Sequence, residues 1–69
     1  MTTEQEDTLN NLQAMGYPTH VVRNENGGII NIVTFAKLRR EFLQLMIAPD
    51  GLLRRSGREY RFSDIRSSN

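Results

Sequence analysis

Thr34-Phe35-Ala36-Lys37-Leu38-Arg39-Arg40-Glu41-Phe42-Leu43-Gln44-Leu45-Met46-Ile47 is the stretch whose reading decides the fold. Phe35, Leu38, Phe42 and Leu45 fall at i, i+3, i+7 and i+10, the spacing of one face of an α-helix. Leu43, Met46 and Ile47 widen that face, while Lys37, Arg40, Glu41 and Gln44 occupy the other side. Thr34 suits an N-cap. Ala48-Pro49-Asp50-Gly51 supplies a stop, with proline just beyond the helix end. The pattern predicts a helix over residues 34–47.

Upstream, Thr19-His20-Val21-Val22-Arg23 is rich in β-branched residues and predicts a strand. Asn24-Glu25-Asn26-Gly27-Gly28 is a dense turn signal, and Gly28-Ile29-Ile30-Asn31-Ile32-Val33 returns as a second strand. Both faces of that returning strand carry apolar residues. Before this hairpin, residues 3–15 predict a helix. Thr3-x-x-Glu6 matches a capping box, and Leu9, Leu12 and Met15 form a narrow apolar stripe before Gly16 and Pro18 end it.

Downstream, Leu52-Leu53-Arg54-Arg55 and Arg58-Glu59-Tyr60-Arg61-Phe62 predict a second hairpin around a Ser56-Gly57 turn. That register sets Leu53 opposite Tyr60 and Arg54 opposite Glu59. Ser63-Asp64-Ile65 is a candidate last helical turn, and residues 66–69 are expected to fray. The expected fold is α+β: a small single domain over residues 1–69 in the order helix–hairpin–helix–hairpin. Its expected core is Leu9, Leu12, Met15, Val21, Ile30, Ile32, Phe35, Leu38, Phe42, Leu45, Leu53, Tyr60 and Phe62.

Composition narrows the function. The 69 residues include no cysteine and one histidine, which excludes disulfides, thiolate metal sites and polyhistidine metal sites. His20 is the single histidine, the residue type suited to acid–base work at neutral pH, and the sequence offers no evident nucleophile and orienting group to go with it. Glu4, Glu6 and Asp7 are accounted for as helix-start carboxylates. Gly27-Gly28 lacks the lysine of a phosphate-binding loop. We expect no enzyme activity, catalytic residue, cofactor or metal. No run approaches the roughly 20 apolar residues of a membrane span. The acidic start lacks the features of a signal peptide, so a cytoplasmic protein is expected.

Charge is unevenly placed. Residues 1–33 sum to −3 and residues 34–69 to +4, and the excess is almost all arginine. Arginine presents a planar fork suited to phosphate or carboxylate. The candidate nucleic-acid-binding residues are Lys37, Arg39 and Arg40 on the expected second helix, with Arg54, Arg55, Arg58 and Arg61 on the second hairpin. Tyr60 is a candidate stacking platform, although its place opposite Leu53 favours core packing.

Gly51-Leu52-Leu53-Arg54-Arg55-Ser56-Gly57-Arg58-Glu59-Tyr60-Arg61-Phe62-Ser63-Asp64-Ile65 resembles the wing segment of MerR-type and excisionase-type winged-helix proteins. The resemblance implies a winged-helix-like fold and binding of duplex DNA, with the wing on phosphate or minor groove. It covers only this segment; in that family two helices joined by a tight turn precede the wing, whereas here one helix, 34–47, fits between the first hairpin and Pro49. That order is also similar to that of small phage head–tail joining proteins. The expected function is a small DNA-binding regulatory protein of phage or mobile-element type. The alternative is a protein-interaction module (an inhibitor, adaptor or assembly protein) that applies the same basic surface to an acidic partner. A homodimer is compatible with so small a core.

Overall fold

In the computed structural model, which describes residues 1–67, the chain runs α1 (Thr3–Ala14), β1 (Thr19–Arg23), β2 (Ile29–Leu38), β3 (Glu41–Ile47), β4 (Leu53–Arg55), β5 (Arg58–Tyr60) and α2 (Phe62–Ser67). The strands form one sheet in the order β1-β2-β3-β4-β5, and every neighbouring pair is antiparallel. Each strand therefore pairs with its neighbours along the chain.

This overturns the helix–hairpin–helix–hairpin order and the winged-helix-like expectation. The 34–47 stretch is not a helix but most of a long hairpin, in which Leu38 pairs with Glu41 across Arg39-Arg40. The β-branched run from Ile29 carries the strand through Thr34, which is no cap but a fully buried mid-strand residue. Its Oγ1 donates to the Pro18 carbonyl at 2.8 Å. The turn itself places both central residues at positive φ, 51° for Arg39 and 75° for Arg40. That is the type I′ arrangement, whose twist matches the flanking strands.

The two faces of the sheet differ. Ile32, Thr34, Ala36 and Leu38 alternate inward on β2, as do Leu45 and Ile47 on β3 and Leu53 on β4. Together with Leu12 of α1 and Ile65 of α2 they form the buried core. Leu9, Met15, Val21, Tyr60 and Phe62 pack partly buried against it. Phe35, Phe42 and Ile30, expected in the core, are instead exposed. The helical stripe had merged two strand faces: Leu38 and Leu45 point inward, whereas Phe35 and Phe42 point to the open side. Ala36, Ile47 and Ile65 take the places left in the core.

α1 closes the inner face. Its N-cap is Thr2, one residue before the expected cap, in a reciprocal pair: the Gln5 N–H donates to Thr2 Oγ1 at 3.0 Å and the Thr2 N–H to Gln5 Oε1 at 2.9 Å. The helix is tied to the β3–β4 connection by three side-chain donors. Thr2 Oγ1 donates to the Pro49 carbonyl at 2.6 Å, Gln5 Nε2 to Ile47 at 3.2 Å and Thr8 Oγ1 to Gly51 at 2.7 Å. Gly51 has φ +84°, and a Cβ there would lie 2.9 Å from the Glu4 carbonyl oxygen, so close approach of the helix requires glycine. α2 packs its Ile65 against α1 and β2. Of the tail expected to fray, residues 66 and 67 are the last of α2, and residues 68 and 69 lie outside the described part.

Candidate nucleic-acid interface

In an antiparallel meander the β2–β3 and β4–β5 turns fall at the same end of the sheet. Here they bring two separate arginine pairs together. Arg39 and Arg40 form the first turn; Arg55 and Arg58 face each other across the second, Ser56-Gly57. Ser56 and Gly57 also have positive φ, 51° and 79°, so this too is a type I′ turn. α1 and α2 cover the sheet away from these tips, and a cleft of about 590 Å³ opens between them. Leu38, Leu43 and Tyr60 line it, with Arg39, Arg55 and Arg58 at its rim beside Glu41.

The electrostatics differ from one arginine to the next. Arg55 Nη1 donates to the Gln44 carbonyl at 3.1 Å, which fixes the side chain but leaves its charge unneutralised. Among the described residues Arg39, Arg40 and Arg58 form no ion pair. Arg54 is different. Its Nη2 sits 3.3 Å from Asp50 Oδ2 and 3.4 Å from Glu59 Oε1, so two carboxylates already hold its charge.

The structure thus sorts the seven cations named from sequence. Arg39, Arg55 and Arg58 meet at the cleft between the hairpin tips, and Arg40 completes the first turn. Lys37 lies close by on the open face of β2, cross-strand from Phe42. Arg54 is on that open face too, one residue pair in from the second turn and cross-strand from Met46 and Glu59. Arg61 lies past the opposite end of β5, where its backbone N–H donates to Asp64 Oδ2 at 2.8 Å. Lys37, Arg39 and Arg40 are on a hairpin, not on a helix, because β2 runs through Lys37 to Leu38 and the chain reverses at Arg39-Arg40.

Four contributors escaped sequence reasoning. Leu38 and Leu43 form part of the cleft floor rather than a helix face. Phe42 and Phe35 stand on the open face of the sheet, 69% and 49% exposed. Alternation at Ala36, Leu38, Leu43, Leu45 and Ile47, broken once at Arg39-Arg40, is the signal that marks them. No protein-family model, curated protein or solved structure matches the chain.

Proposed function

We propose that this protein binds nucleic acid through the arginine-bearing end of its sheet, as a small non-enzymatic regulatory protein. The observation that carries this reading is the cleft that Arg39, Arg55 and Arg58 share between two hairpin tips, with Arg40 beside Arg39 in the first turn and Glu41 as the one carboxylate in the cleft. Guanidinium forks on a projecting ribbon suit phosphate oxygens, and such contacts position a protein on the backbone. A second observation adds support. Two arginines occupy left-handed backbone positions where asparagine and glycine are preferred, and strain of this kind collects at functional sites.

The test is a fluorescence-anisotropy titration of labelled DNA at several salt concentrations. If each of the four arginines meets one phosphate, log K falls with log salt at a slope of about −3 to −4. Arg39→Ala with Arg58→Ala weakens binding and flattens that slope by about half. Arg54→Ala leaves both nearly unchanged, because Asp50 and Glu59 already hold its charge. Absence of binding at low salt refutes the reading and moves the basic end to an acidic protein partner.

A further inference from the structure

We infer that the ligand is single-stranded nucleic acid and that its bases stack on the open face of the sheet, on Phe35 and Phe42. This rests on the nucleic-acid reading above and names its substrate class. β2 presents Val33, Phe35 and Lys37 on that face, and β3 presents Phe42, Gln44 and Met46, with Val33 opposite Met46, Phe35 opposite Gln44 and Lys37 opposite Phe42. Phe35 and Phe42 are therefore diagonal neighbours on adjacent central strands, about 7–8 Å apart. Among the described residues no helix covers this face, since α1 and α2 pack on the other. Sheets bearing aromatic side chains on neighbouring strands take two or three splayed bases in this way.

The Phe42 ring is held as well as exposed. Tyr17 meets it edge-on, with ring centroids 6.4 Å apart and planes at 76°, while 69% of the residue remains in solvent. A ring fixed before binding loses less freedom on contact. Charge chooses the occupant. Lys37 lies beside both rings, and the strand leads directly into Arg39 and Arg40, so an anionic backbone crossing the face meets cations as its bases meet π-surfaces. A second copy packed open face to open face is a poorer match: Glu59, the carboxylate that β5 carries on that face, is already paired with Arg54. A duplex is poorer still, because its bases are stacked on one another and their faces are closed to a flat sheet.

The experiment compares a mixed-sequence single-stranded oligonucleotide with its duplex by anisotropy, using the full chain and the variants Phe35→Leu and Phe42→Leu. Leucine keeps an apolar surface and removes the π-face. The single strand binds more tightly than the duplex, and each variant weakens single-strand binding about tenfold while duplex binding stays unchanged. Phe42, the more exposed of the two, carries the test alone if Phe35→Leu misfolds by circular dichroism. Equal affinity for both probes, unmoved by either variant, overturns this inference and leaves the arginine site standing. No binding to either probe at low salt overturns both. A dimer in sedimentation that Phe42→Ala dissociates, with single-strand binding intact, assigns the face to a second copy and also overturns it.

Discussion

Replacing Arg39-Arg40 by Asn-Gly makes the protein more stable and a poorer ligand binder. Left-handed backbone costs an L-residue about 1–2 kcal/mol. Two such residues sit side by side here, at φ 51° and 75°. Asparagine tolerates the position and glycine carries no penalty there. The gross relief is about 2–3 kcal/mol, from which the freer unfolded glycine takes back about 0.5–1 kcal/mol. The net gain is about 1–2 kcal/mol. In a domain of this size each kcal/mol raises the melting temperature by about 4–8 °C. Thermal and urea unfolding followed by circular dichroism measure it, with an unchanged m-value as the sign that the folded state keeps its extent. In the same variant the salt slope for a single-stranded probe loses about 1.4, two phosphates' worth. A melting temperature at or below that of the parent refutes the strain argument. A more stable variant that binds as well as the parent removes the first tip from the site.

Ser56→Asn puts Asn-Gly in the second turn without removing a cation, so it stabilises by about 0.5–1 kcal/mol and leaves binding and salt slope unchanged. Gly51→Ala costs at least about 2 kcal/mol, because it combines positive φ with a Cβ placed 2.9 Å from the Glu4 carbonyl oxygen; urea titration reads the loss. Leu45→Ala, at a buried core position, costs about 2–5 kcal/mol, whereas Phe42→Ala costs less than about 1 kcal/mol. The reverse ranking in urea midpoints would return Phe42 to the core that a helical reading gave it.

Local chemistry was legible where it was unambiguous. The Asn24–Gly28 turn, the Ser56-Gly57 turn and the α1 stripe name their elements by residue type. The register of the last hairpin follows from its two-residue turn, with Leu53 opposite Tyr60 and Arg54 opposite Glu59. The 34–47 stretch misled for a physical reason. Two strands with period-two alternation, joined by a two-residue turn, place apolar residues at spacings that also satisfy a helix. Arginine carries no turn signature, so Arg39-Arg40 hid the break. Everything placed by that break then moved: Phe35 and Phe42 left the core, and the basic residues 37–40 went from a helix side to a strand face and a turn. Their convergence with Arg55 and Arg58 is a consequence of sheet order, which no local pattern contains.

The ties between α1 and the 47–51 connection set a schedule for the chain as it is made. Thr2, Gln5 and Thr8 find their carbonyl partners 47, 42 and 43 residues later. At about 5–20 residues per second, synthesis separates a donor from its acceptor by about 2–9 s. An isolated helix of 12 residues is marginal in water, so for that interval α1 is a nascent segment with its apolar stripe unburied. The hairpins need only close neighbours and form within microseconds once their residues emerge. The β1–β3 strands are thus made before α1 gains its acceptors, and the earliest-made element docks onto strands that follow it in the chain.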